Sequence, residues 1–147
     1  MAKFKYRMQN ILMVKEKLEE QEKQNFAMMR MRLTEEEEAL EALNERRREI
    51  AEEGIRMRLE AIDILSIKEN TALAEYYDSQ IKSQRMKVTA AEKNLELARV
   101  RMQNAMQERK IHEKLRENAF NDFIKEQAMA EAKEIDELTS YTYGQKK

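Results

Sequence analysis

The sequence has no cysteine, no proline and no tryptophan, and its only glycines are Gly54 and Gly144. Lack of cysteine excludes a disulfide framework, a thiolate zinc site and a cysteine nucleophile. With so little Pro and Gly, the residues that punctuate strands, tight turns and phosphate-cradling loops are missing, which argues against a nucleotide-binding enzyme fold. Long apolar runs are missing too. No stretch approaches the roughly 20 apolar residues that span a bilayer, and the basic N-terminal residues Lys3, Lys5 and Arg7 are followed by no apolar core of a targeting peptide. A soluble, cytoplasmic protein is the expectation. The net charge of −1 gives no support to a polyanion-binding role.

What is present is helix-forming. Ala, Glu, Lys, Leu and Arg make up about 55% of the chain, above the roughly half that marks coiled coils and long helices. Leu, Ile, Val and Phe are near the ~20% level below which highly charged chains stay unfolded. The small net charge, eleven methionines and a clear periodicity argue for order instead.

Apolar residues recur at alternating three and four spacing, the pattern of a coiled-coil seam. A stripe begins at Ile11, Val14 and Leu18, then slips by one position, as at a stutter. From Phe26 it continues through Met29, Leu33, Glu36, Leu40, Leu43, Arg47, Ile50, Gly54, Met57, Ala61 and Ile64, with Glu36, Arg47 and Gly54 as weak points. A second stripe holds Tyr77, Ile81, Gln84, Val88, Ala91, Leu95, Ala98, Met102 and Ala105. Further on, Ile111, Leu115, Phe120, Ile124, Ile135 and Leu138 are the candidate inward positions, with a less regular phase.

Between the stripes, Ser66 and Glu69 have capping-box spacing, which would start a new helix near Ile67. The expected fold is therefore all-α, a long antiparallel two-helix coiled-coil hairpin forming a single domain over residues 1–147. Helix one runs from about 3 to 63, the turn covers about 64–66, helix two runs from about 67 to 140, and 141–147 form a frayed tail. At ~1.5 Å per residue the first arm would be ~90 Å long. Position i should face roughly 130 − i, placing Phe4 near Glu126 and Leu33 near Leu97. The rival arrangement is one continuous helix in a parallel homodimer, a scaffold in which the seams pair between chains.

Charge is segregated along the chain. Residues 33–96 are net acidic, whereas 1–32 and 97–127 are net basic. A hairpin would bring the two basic segments together. The runs Glu35–Glu38 and Arg46–Arg48 read as solvated faces with i to i+4 pairs. A two-helix hairpin offers no desolvated cleft to separate carboxylate pKa values, so no catalytic residue is nominated. His112 stands alone and reads as a surface or seam residue; no metal or cofactor is expected. Nor is a small-molecule substrate, a nucleic-acid partner or a membrane-surface helix. Met29, Met57 and Met102 fall on the stripes, whereas Met28, Met31 and Met86 fall off them and are candidates for exposed, adaptable contact. Tyr76 and Tyr77 are adjacent; if Tyr77 packs inward, Tyr76 points outward beside Leu73.

Several blocks together resemble one family. The opening Phe4-Lys5-Tyr6-Arg7-Met8-Gln9-Asn10-Ile11-Leu12 with Lys15-Glu16 is similar to the N-terminal signature of the flagellar export protein FliJ family. Tyr77 with Ile81 and Gln84, the segment from Arg109-Lys110 to Lys114-Leu115, and Glu126-Gln127 followed by Ile135-Asp136-Glu137-Leu138 extend the resemblance over nearly the whole chain. It implies a non-enzymatic hairpin, similar to the coiled coil of the F-type ATPase γ subunit, in the flagellar type III export apparatus. It also implies that the protein is monomeric alone and lies cytoplasmic at the inner face of the membrane, at the flagellar basal body. Implied partners are the hexameric export ATPase, the cytoplasmic domain of the membrane export gate, and export chaperones. On this resemblance Phe4, Arg7, Gln9, Glu126, Asp136 and Glu137 belong to the ATPase-proximal end. Leu73, Tyr76, Tyr77, Gln80 and Gln84 belong to the gate-facing tip. Tyr77 and Gln84 are also seam positions, so one helix face is asked to be both buried and available.

Overall fold

In a computed structural model, residues 2–60 and 63–145 are described. Two helices, α1 (Gln9–Leu59) and α2 (Ile64–Gln145), pack against each other as an antiparallel hairpin, with no strand among the described residues. Each helix runs uninterrupted because no proline removes a backbone donor, and the only helix-weakening glycine in α1 is Gly54. Arg56 and Arg58 in the last turn of α1 complement its dipole.

The break between the helices lies earlier than the capping pattern at Ser66 suggests. The Asp63 carboxylate accepts the Ser66 backbone N–H at 2.7 Å, and Ile67 N–H bonds to the Asp63 carbonyl. Asp63 is thus the N-cap, Ser66 lies within the first turn, and residues 64–66 are helical rather than a turn. A carboxylate accepts this bond more strongly than a hydroxyl, and Asp63 lies immediately before the first helical residue. At the other end, α1 starts at Gln9 and not near residue 3. Residues 2–6 carry no regular secondary structure, and Gln9 N–H closes a turn onto the Tyr6 carbonyl. Residues 141–145 continue α2 as helix. Ala61, placed in the first stripe, and residues 146–147 of the expected tail lie outside the described residues.

The hairpin comprises two compact units, residues 22–102 and residues 1–21 with 103–147. In the first, which contains the helix break, the seam is apolar. Ile50 is fully buried, Ile81, Ala91 and Ala98 are buried, and Leu33, Leu40, Leu43, Val88 and Leu95 are half-buried. Both stripes read from Phe26 to Met57 and from Tyr77 to Ala105 lie inward as buried or half-buried positions. Ile64 is the exception, exposed in the first turn of α2.

The weak points of this seam are filled by polar partners across it. Glu36 takes the Gln84 carboxamide, which also donates to the Glu36 carbonyl at 3.0 Å. Arg47 Nε donates to Asp78 at 2.7 Å. Gly54 is buried because Asn70 packs directly onto it: a Cβ there would collide with the Asn70 side-chain oxygen. The register is tighter than 130 − i, since residue 50 meets residue 70 and residue 36 meets residue 84. An earlier helix break moves the fold axis accordingly.

The unit containing both termini is different. Its α1 seam is Gln9, Leu12, Lys15 and Glu19, one position out of phase with the expected Ile11, Val14 and Leu18, which are all exposed. On α2 the inward positions are Ala105, Arg109, His112, Ala119 and Phe123. The expected Ile111, Leu115, Phe120, Ile124, Ile135 and Leu138 are exposed. Apolar periodicity misleads here because the paired side chains are charged: Glu19 faces Arg109 and Lys15 faces Glu108, so charge pairing sets the phase. Every residue from 128 to 145 is exposed.

Candidate interaction surfaces

Within the unit that carries the termini, Phe4 anchors the non-helical residues that precede α1. Its ring meets Phe120 edge-on with centroids 5.1 Å apart and Phe123 at 5.5 Å, and the Arg116 guanidinium lies 5.8 Å from its centroid. Arg116 Nε also donates to the Gln9 side-chain oxygen at 3.0 Å. Phe4 and Gln9 are therefore engaged in internal packing. Phe4 lies nearer Phe120 and Phe123 than the register with Glu126 implied, although a shallow groove lined by Lys3, Phe4, Arg7, Asp122, Phe123 and Glu126 brings these residues together. Arg7 and Glu126 are exposed on that groove. Asp136 and Glu137 are exposed, within a stretch of α2 in which every described residue is exposed.

Deeper in the same unit, Glu19 is 6% exposed. It accepts two bonds from Arg109, from Nε at 2.5 Å and from Nη2 at 3.3 Å, while Arg109 Nη1 reaches Glu113 at 2.8 Å. The hydrogen bonds it donates to Glu19 and then to Glu113 push the Arg109 pKa further up. Lys15 Nζ lies 2.5 Å from Glu108, and that bond holds the Glu108 carboxyl below the ordinary range. Two buried polar atoms, the Tyr6 hydroxyl and His112 Nδ1, have no hydrogen-bond partner among the described residues. Among the described residues no group of three or more His, Asp or Glu is placed to hold a metal ion.

In the unit that contains the helix break, the residues assigned to the tip divide. Leu73, Tyr76 and Gln80 are exposed on α2 at spacings of three and four, so they share one face. Tyr77 is half-buried, its ring edge-on to Tyr76 with centroids 5.4 Å apart. Gln84 is 7% exposed and spent on Glu36, so it is not part of an available face. The demand that one face be both buried and available is resolved by one position of rotation: 77 and 84 face the seam, 73, 76 and 80 face outward. Around the helix break, Ile55, Leu59, Ile64 and Leu65 are also exposed, a feature the sequence reading missed because it counted Ile64 as seam. Met28, Met31 and Met86 are exposed, as expected from their positions off the stripes. A groove beside Met31 is lined by Phe26, Ala27, Arg30, Met31, Thr34 and Glu35, all on α1.

The family model of the flagellar FliJ protein matches residues 4–147. The chain belongs to the FliJ family. Comparison with curated proteins and with solved structures gives no match. Its family makes this chain a component of the flagellar export apparatus. No helix among the described residues is long and apolar enough to cross a membrane. The FliJ-family match spans both units, so the charged pairing around Glu19 and the face at Leu73 belong to one family sequence.

Proposed function

We propose that this FliJ-family chain is a non-enzymatic stalk of the cytoplasmic export machinery. It binds the hexameric export ATPase through the unit that carries its termini, promotes assembly of the ring, and couples it to the membrane export gate. The observation that carries the reading is the family match over residues 4–147. Two long helices with no internal proline suit such a role.

In this reading Arg7, Glu126, Asp136 and Glu137 meet the ATPase directly. Phe4 and Gln9 serve it indirectly, by fixing the residues before α1 and its first turn onto α2 through Phe120, Phe123 and Arg116. Leu73, Tyr76 and Gln80 meet the gate, and Tyr77 and Gln84 hold α2 against α1 behind them. The exposed Met28, Met31 and Met86 favour a further contact with export chaperones or their clients, since thioethers adapt to varied apolar surfaces.

The deciding experiment mixes the purified chain with the export ATPase and with the cytoplasmic domain of the gate. Association with both, stimulation of ATP hydrolysis and no hydrolysis by the chain alone are expected. Absence of both association and stimulation would reject the reading.

A further inference from the structure

The two units are closed by different chemistry. In residues 22–102 the seam is mainly apolar, with Ile50 at 0% and Ala98 at 2% exposure, and is punctuated by the polar contacts of Gln84 with Glu36, Asn70 with Ile50 and Arg47 with Asp78. In the unit formed by 1–21 and 103–147, Leu12 and Ala105 are the only buried apolar residues among those described. The α1 side of that seam is otherwise Gln9, Lys15 and Glu19, each bonded across to α2: Gln9 to Arg116, Lys15 to Glu108, Glu19 to Arg109. A buried ion pair contributes little net stability relative to apolar side chains of the same size, yet loss of one partner is strongly destabilising. Two further buried polar atoms, on Tyr6 and His112, have no hydrogen-bond partner among the described residues.

We propose that the terminal unit is an ionic clasp, built from Glu19, Arg109, Glu113, Lys15 and Glu108, that opens while residues 22–102 stay paired. Opening separates residues 9–21 of α1 from residues 103–120 of α2 and uncovers Leu12 and Ala105. Apolar burial is insensitive to competing charges; this pairing is not. A protein surface that offers Arg109 another carboxylate, or Glu19 another cation, draws the clasp open. The aromatic contact of Phe4 with Phe120 and Phe123 is its latch, at the far end of the same seam. This inference stands on the packing alone and survives failure of the ATPase reading.

Because the chain has no cysteine, spin labels can be placed at will. One labelled pair, Met13→Cys with Lys110→Cys, reports on the clasp. A second, Arg48→Cys with Ser79→Cys, reports on the other unit; all four positions are exposed. Distance distributions from electron paramagnetic resonance are compared for the native sequence, for Glu19→Gln, and for the apolar exchange Glu19→Leu with Arg109→Leu. Glu19→Gln should raise the separated fraction at the clasp pair about tenfold, a discount on full loss of a buried partner because Arg109 is partly exposed. The apolar exchange should return it to the native fraction or below. The reference pair should hold its distance throughout. An unchanged clasp distance in Glu19→Gln, or separation of both pairs in step, overturns the proposal.

Discussion

Asn70 reaches across the hairpin and donates its Nδ2–H to the backbone carbonyl of Ile50 at 3.0 Å, while its oxygen sits over Gly54. One carboxamide thus ties a fully buried isoleucine and a glycine on α1 to a single position on α2. A buried polar group of this kind specifies register, because a slip of one turn leaves it without a partner.

Gly54→Ala should destabilise the hairpin although alanine is the better helix former. The propensity gain is about 1 kcal/mol, against an overpacking cost of about 1–3 kcal/mol at the Asn70 contact. Adding Asn70→Ala removes the collision, so the double variant should be more stable than the sum of the single changes. Thermal or urea unfolding of the four proteins in the cycle measures that coupling.

Ile50→Ala should cost about 2–5 kcal/mol, because the side chain is fully buried between two long helices that cannot collapse around the gap. Met86→Ala, at an exposed position, should change stability by no more than about 0.5 kcal/mol. Urea midpoints at constant m-value make the comparison.

Acid should loosen the hairpin. The hydrogen bond from Arg47 holds the Asp78 carboxyl below its ordinary range, and the bond from Lys15 does the same for Glu108. Folded pKa values below the unfolded ones mean stability that is present above the ordinary carboxylate pKa of about 4 and is lost as pH falls through the folded values. The raised arginines add nothing in this window, since they stay charged in both states. Urea midpoints measured from neutral to strongly acid pH should decline below about pH 4, with a shallower decline in Asp78→Asn.

Leu73→Ala with Tyr76→Ala should leave helix content and ATPase stimulation unchanged while weakening capture of the gate domain. Gln84→Ala should do the reverse of a contact mutation: it should lower the unfolding midpoint, because Glu36 is left half-buried without its partner. Circular dichroism and a binding titration on the same samples separate the two outcomes.

Much of this was legible in the sequence. The stripe from Tyr77 to Ala105 was readable residue by residue, since alanines and aliphatics at three and four spacing have few alternatives to burial against a neighbouring helix. The helix pair itself follows from the same spacing and the lack of proline. The terminal unit departs from the apolar pattern at Ile11, Val14 and Leu18 because its inward positions are the buried Glu19 and the half-buried Lys15 and Arg109. Complementary charges at Glu19 and Arg109 are visible as letters, but their pairing depends on a register that only the folded chain supplies. The cap at Asp63 is masked in the sequence by the Ser66-Glu69 spacing, which fits a capping box three residues later. At the tip, the resemblance groups Leu73, Tyr76, Tyr77, Gln80 and Gln84, and spacing alone does not separate the half-buried Tyr77 and the buried Gln84 from the exposed Leu73, Tyr76 and Gln80.

The last turns of α2 carry a cost of their own. From 128 to 145 every residue faces solvent, so these turns draw on local propensity alone, and a helical segment of that length is only marginally favoured in water. Any molecule that grips Asp136 and Glu137 must therefore immobilise the backbone as well as contact it. Its affinity should weaken on warming faster than contact at a rigid surface would, which makes temperature, alongside charge, a variable of recognition at this end.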